Sequence, residues 1–310
     1  MTGKLNTADV LIARPHGASA PCSRYDCHHA TFSLLAGGIA SRASGESGLV
    51  VLRTVSAVRY VAPLREGGSL PAVVEADDGE LYVLKFRGAG QGQRALIAEM
   101  LAGEIGRSLG LRVPEIVLVT LDRAFGLSEP DPEIHDLIAA STGLNLGLRY
   151  LAGALAFDPV LTPYPDANQA SAIVWFDAFV TNVDRTVRNT NMLLWRDQLW
   201  LIDHGAALYF HHSWDGYLER SVSPFPRIKD HVLLRSAALL EEIDAPLAAR
   251  LEPATLHHIV EHVPPEWLSD EPSFRSPREH RDAYMEFLTA RLRSPRAFVG
   301  EAISARNALL

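Results

Sequence analysis

The 310-residue sequence predicts an α+β chain in two lobes, a small antiparallel β lobe carrying one helix and then a mainly helical lobe. Three observations lead there. Short apolar runs separated by Gly, Asp and Pro turns fill the stretch from about residue 55 to 151, with a single helical period among them. Beyond Ala152 the apolar spacing becomes helical. A hairpin with charged ends interrupts that helical half between Met192 and Ile202. The expected division is a leader over 1–50, a β lobe over 51–151 and a helical lobe over 152–310.

Residues 1–50 mix Ser, Gly, Ala and His without a sustained period, and read as a loosely ordered leader or an over-extended translation start. The only cysteines, Cys22 and Cys27, lie here beside Asp26, His28 and His29. Their spacing matches no standard zinc site, so a polar loop is expected.

The β lobe opens with three strands, Val58 to Pro63, Pro71 to Glu75 and Leu81 to Phe86. The turn Arg65 to Leu70 joins the first two, and Asp77-Asp78-Gly79-Glu80 supplies residues that tolerate positive φ between the second and third. Leu96, Ile97, Met100, Leu101, Ile105 and Leu109 then share one helical face over Arg94 to Leu109, stopped by Gly110. Val113 to Leu121 and Gly147 to Leu151 return to β. In the second lobe, helices are expected over Gln169 to Phe179, His231 to Leu240, Ala245 to Leu251 and Arg281 to Leu292. The hairpin pairs Met192 to Trp195 with Leu199 to Ile202.

Composition narrows the function. With 47% hydrophobic and 21% charged residues, the chain is an ordinary folded protein able to bury two cores. A formal charge of −8 and no long basic run argue against direct nucleic-acid binding. No stretch approaches the roughly 18 to 20 apolar residues of a membrane helix. The first residues lack the order of a secretory signal, so a cytoplasmic location without a membrane partner is expected.

Four groups in chain order suit phosphoryl transfer, which asks for a cation on the phosphates, oxygen donors for magnesium and a base near the attacking hydroxyl. Lys85 lies inside the apolar run Tyr82-Val83-Leu84-Lys85-Phe86, where it is costly to bury unless an anion meets it. The alternative is a lysine on the wet face of an edge strand. Glu99, or Glu104 on the same helix, can pair with it if the helix packs beside that strand. Glu99 is preferred over Glu104, and a solvated helical glutamate is the alternative.

The segment Asn182-Val183-Asp184-Arg185-Thr186-Val187-Arg188-Asn189-Thr190-Asn191 puts an Asp and, five residues on, an Asn at the two ends of one loop between a helix and the hairpin. Taken alone it is also an ordinary polar turn. Leu201-Ile202-Asp203-His204-Gly205 places a further Asp at a strand end, and the hairpin returns it toward Asn189 at a separation suited to magnesium.

This order, Leu-Lys, helical Glu, Asn-x-Asp-Arg-x3-Asn and Ile-Asp-His-Gly, resembles the HipA-like kinase family over about residues 55 to 235. The resemblance implies the two-lobed protein-kinase-like fold, ATP and Mg2+ as cofactors, and a protein Ser/Thr hydroxyl as acceptor. By motif, Lys85 would contact the α/β-phosphates, Glu99 would orient it, Asp184 would be the catalytic base, and Asn189 and Asp203 would hold the metal. Asn191 is the alternative to Asn189 when the hairpin is aligned instead of the loop. Family toxins often carry His two residues after the catalytic Asp, where this chain has Thr186, and Arg188 and Thr190 also depart from other branches.

Gly67, Gly68 and Ser69 would bring backbone amides to phosphate, although the turn has fewer glycines than the loop of ordinary protein kinases. Backbone groups near Tyr150 and Leu151 would meet an adenine edge. His211, His212 and Trp214 follow the Asp203 motif and could touch substrate. A partner protein that regulates the chain fits the same resemblance. A nucleotide-binding pseudokinase, a small-molecule kinase and a nucleotidyltransferase are the other readings.

Overall fold

The structure, a computed structural model, describes residues 52–64, 70–125, 131–160 and 165–310. The leader, both cysteines and Gly67, Gly68 and Ser69 lie outside the described residues.

The chain is α+β as expected, but its first sheet is a closed five-stranded barrel and not an open antiparallel one. Strands β1 (Thr54–Pro63), β2 (Ala72–Ala76) and β3 (Leu81–Lys85) form the meander. β4 (Ile116–Leu121) and β5 (Gly143–Arg149) pair antiparallel, and β5 pairs with β3. Closure comes from Thr54, Val55 and Ser56, which pair in parallel with Leu118, Val119 and Thr120. Two register irregularities in β1, between Ala57 and Arg59 and between Tyr60 and Ala62, bend the strand so that one end serves β4 while the rest serves β2. Gly147 sits where a Cβ would come within 2.7 Å of Val119 Cγ2, so the barrel wall admits no side chain there.

Helix α1 (Gln93–Ser108) has eleven consecutive buried residues from Leu96 to Gly106, because the barrel covers one side and the helical half the other. A second helix, α2 (Pro132–Ala140), was not expected. Asp131 caps it by accepting from Glu133 N at 3.1 Å, with Pro132 at the first helical position.

The helical half is built around α3 (Ala167–Phe179), which is buried along almost its whole length from Ala170. The expected hairpin forms, with β6 (Leu155–Ala156) added to β7 (Met192–Trp195) and β8 (Gln198–Leu201). Arg196 and Asp197 both take positive φ, 51° and 58°, as a two-residue hairpin turn requires. The expected helix from His231 is replaced by a 3-10 turn at Leu234–Ser236, and the next helix, α4 (Leu240–Arg250), starts earlier than expected. Further helices are α5 (Pro253–Glu261), the expected α6 (Pro277–Leu292) and α7 (Ala297–Asn307).

Bonds outside the cleft tie the halves together, among them Leu201 N to the Arg112 carbonyl at 2.8 Å. Arg94 pairs with Glu271 at 2.7 Å, Trp267 Nε1 donates to the Leu144 carbonyl at 3.1 Å, and Arg250 donates to the Leu109 carbonyl at 2.7 Å. Among the described residues no helix is long and apolar enough to cross a membrane.

Candidate active site

Between barrel and helices lies a cleft with a cavity of about 300 Å³, lined by Lys85, Glu99, Asp184, Asn189 and Asp203 among others. Lys85 ends β3 and points into it. Its Nζ lies 2.7 Å from Asp203 Oδ1 and 3.7 Å from Glu99 Oε2. Burial alone would drive the proton off Lys85, but Asp203 and Glu99 outweigh it and raise the ammonium above its ordinary pKa. Burial likewise opposes ionisation of Glu99, and Lys85 together with His204 overcomes it and holds the carboxyl well below the usual range. His204 faces Glu99 with Nδ1 to Oε1 at 3.3 Å, so Glu99 bridges Lys85 and His204. Glu104 points elsewhere, to Arg107 at 3.5 Å, and burial raises its carboxyl.

The loop after α3 carries the second half of the site. Asn189 Nδ2 donates to Asp184 Oδ2 at 2.7 Å, and both side chains line the cleft. Burial, then the nearby Asp203 carboxylate, raises the Asp184 carboxyl. Asn191 is buried beside this pair. Its Nδ2 reaches the Asp184 carbonyl, Asp184 Oδ2 and the Asp203 carbonyl, each at 3.4 Å, while its Oδ1 has no hydrogen-bond partner. Asn191 and Asp203 both hold positive φ, 48° and 55°. Non-glycine residues held there mark a backbone set by its surroundings.

Two residues under this loop, Asp177 and His231, escape a motif-based reading. Asp177, buried near the end of α3, faces Arg185 Nε at 2.6 Å, His231 Nε2 at 2.9 Å and Asn182 Nδ2 at 2.8 Å. His231 Nδ1 accepts from Leu233 N, so its Nε2 carries the proton toward Asp177. Arg185 also donates to the Asn191 carbonyl, which ties the start of the loop to its end. Burial opposes ionisation of Asp177, and Arg185 and His231 overcome it and hold the carboxyl well below its usual range. Asp177 interrupts the run Ile173-Val174-Trp175-Phe176, and a carboxylate in such a setting requires a buried partner.

Beside Lys85, a narrow apolar slot opens between Leu64, Val83, Leu148, Leu151, Leu193 and Ile202. Leu151 lines it. Tyr150 does not: its amide donates to the Leu81 carbonyl at 2.8 Å, which ties it to the barrel. Of the residues after Asp203, His212 lines the cleft, whereas His211 is buried with Nδ1 on Tyr284 Oη at 3.0 Å and Trp214 is enclosed by aromatic rings.

Among the described residues no group of three His, Cys, Asp or Glu side chains gathers to hold a metal. The donor set of the cleft is instead two carboxylates and an amide. That suits magnesium, which takes one or two carboxylates and completes its shell with phosphate oxygens and water.

Comparison with solved structures bears on the fold. The crystal structure of the proinflammatory kinase CtkA of Helicobacter pylori aligns with a TM-score of 0.51 at 14% identity, over 84% of this chain and 99% of CtkA. Two structures of the Golgi casein kinase, one with Mn/ADP bound, align at TM-score 0.38 and 13% identity over 83% of this chain and 72% and 74% of theirs. Curated protein sequences give no match. Barrel, crossing helix and cleft thus belong to the fold that CtkA has. The family model described as HipA-like kinase matches residues 58–297, and the chain belongs to that family.

Proposed function

We propose that the chain transfers the γ-phosphoryl group of ATP, with magnesium, to a Ser or Thr hydroxyl of a protein. The observation that carries this is the convergence of Lys85, Glu99, Asp184, Asn189 and Asp203 on one cleft beside an apolar slot of a kind that accepts a planar base.

Lys85 holds the α/β-phosphates, kept charged and aimed by Glu99, which His204 fixes from behind. Asp184 accepts or orients the proton of the attacking hydroxyl. The acceptor oxygen bonds to the γ-phosphorus as the bond to the departing ADP oxygen breaks, in line. Positioning and charge stabilisation lower the barrier, with little covalent work by the protein. Asp203 and Asn189 would hold magnesium, which would supply neutralisation of phosphate charge. Asn189 is favoured over Asn191 because it faces the cleft. The adenine would lie in the slot against Leu151, and the turn with Gly67, Gly68 and Ser69 would cover the phosphates. A cytoplasmic location fits a reaction that consumes ATP.

The test is incubation of the full chain with γ-labelled ATP, magnesium and a cell lysate, beside Asp184→Ala. Labelled protein with the wild type and none with the variant is the expected result. A product heavier by roughly 329 Da and not roughly 80 Da would replace this reading with nucleotidyl transfer. Labelling by Asp184→Ala at the wild-type rate would remove Asp184 from its role.

A further inference from the structure

Tyr209 and His212, whose rings meet edge to face at 5.4 Å, line both the catalytic cleft and a second cavity of about 400 Å³ beyond it. Phe210 and Phe287 line this second cavity, stacked with centroids 3.5 Å apart, together with Pro224 and Phe225. Two guanidinium groups reach it as well, yet both are engaged with backbone. Arg220 donates to the carbonyls of Phe210, Ser213 and Asp215. Arg291 donates to those of Ala178, Phe179, Ser221 and Ser223. These carbonyls occupy three of the five N–H donors of Arg220 and four of the five of Arg291, which leaves few for an entering phosphate or carboxylate. An apolar group needs none. At the rim Tyr209 is 57% exposed, and Pro224 and Ser213 are exposed beside it.

We propose that this cavity receives an apolar side chain of the acceptor protein, one or two residues from the phosphorylated hydroxyl, and that it selects substrates by that side chain. The inference rests on the phosphotransfer reading above and names the substrate class for it. A hydroxyl delivered to Asp184 lies in the first cavity. A polypeptide bearing it passes Tyr209 and His212, which both cavities share, and successive residues of an extended chain advance about 3.3 Å with side chains to alternate sides. A neighbouring side chain therefore falls at the second cavity. A small-molecule acceptor would leave it unfilled. An apolar pocket discriminates by roughly 10 to 200-fold between groups that differ by one methylene.

The test uses the full chain with ATP and magnesium on a phosphatase-treated, ATP-depleted cell lysate, with the new phosphosites mapped by mass spectrometry. Leu, Ile, Met or Phe within two residues of the site should be enriched severalfold over the same proteins' background. Ser223→Phe, which fills the cavity, should abolish the enrichment. Pro224→Glu, at an exposed lining position, should move the preference toward Lys and Arg without asking anything of the core. Sites with flat or charged flanks, a pattern unchanged in Pro224→Glu, or phosphate found only on small molecules would each overturn the proposal while leaving phosphotransfer standing. No transfer by the wild type to any acceptor would remove both.

Discussion

Arg185 Nε stands 2.6 Å from Asp177 Oδ2, and neither side chain is exposed to solvent. Through Asn182, His231 and the Asn191 carbonyl, this pair joins the end of α3, both ends of the loop that carries Asp184, and the segment before the turn at Leu234. Asp177→Ala leaves the guanidinium buried without its counter-charge, and breaking such a pair costs about 3 to 5 kcal/mol. We expect a loss of that size in unfolding free energy by urea titration, larger than for Asp177→Asn, which keeps a hydrogen-bond acceptor. A loss under about 1 kcal/mol, the size of an exposed pair, would show that the network does not support the loop.

The lesson for reading such sequences lies in particular residues. Lys85, Glu99, Asp184, Asn189 and Asp203 stood out by their settings: Lys85 inside an apolar strand, Glu99 on a helix, Asp184 and Asn189 at the two ends of one loop, and Asp203 at a strand end. Their convergence on one cleft follows from the order of the elements. Asp177 was legible only as a violation, a carboxylate in an apolar helix, and its partners lie 8 and 54 residues away. Helix α2 carried its signal in Asp131-Pro132-Glu133. Barrel closure carried none, since the parallel pairing of Val55 with Val119 depends on a bend in β1 that no local propensity encodes. The helix expected from His231 failed because that imidazole is bound to Asp177 and its backbone turns in 3-10 steps.

Acid sensitivity follows from Glu99 and Asp177. Both carboxyls are held below their unfolded values near 4. A depressed carboxyl contributes stability that is complete above the unfolded value and is lost as pH falls through the folded one. Urea midpoints should therefore be flat from about pH 6 to 5 on this account and fall steeply below about pH 4. In Glu99→Gln the acid fall should be shallower. An identical acid limb in wild type and variant would show that Glu99 is not ionised in the folded protein. The raised Lys85 has the opposite sign, its contribution present below its unfolded value near 10.4 and lost as pH rises through the folded one.

Asp184 reverses the relation between stability and activity. Its carboxyl is raised by burial and by Asp203, so above that raised value its charge opposes folding. Asp184→Asn should raise the urea midpoint at pH 7 while lowering kcat by about 10² to 10⁴, the usual contribution of a positioned base. A variant both less stable and fully active would contradict the assignment on each count.

The two asparagines of the loop separate by what their oxygens meet. Asn189 lines the cleft and fixes Asp184 through Nδ2, whereas Asn191 is buried, bridges the backbones of Asp184 and Asp203 through Nδ2, and leaves Oδ1 without a partner. Metal held from the cleft would draw on Asn189, so Asn189→Ala should weaken Mn2+ binding in the presence of ADP by about tenfold or more, with little change in unfolding free energy. Asn191→Ala removes a buried set of bonds and the restraint on a positive-φ residue, and should cost stability in the range of about 1 to 3 kcal/mol. Calorimetric titration with Mn2+ and urea unfolding of both variants decide between them. If Asn191→Ala loses the metal while keeping its stability and Asn189→Ala keeps both, the ligand is Asn191, and its orphaned oxygen is the atom that binds.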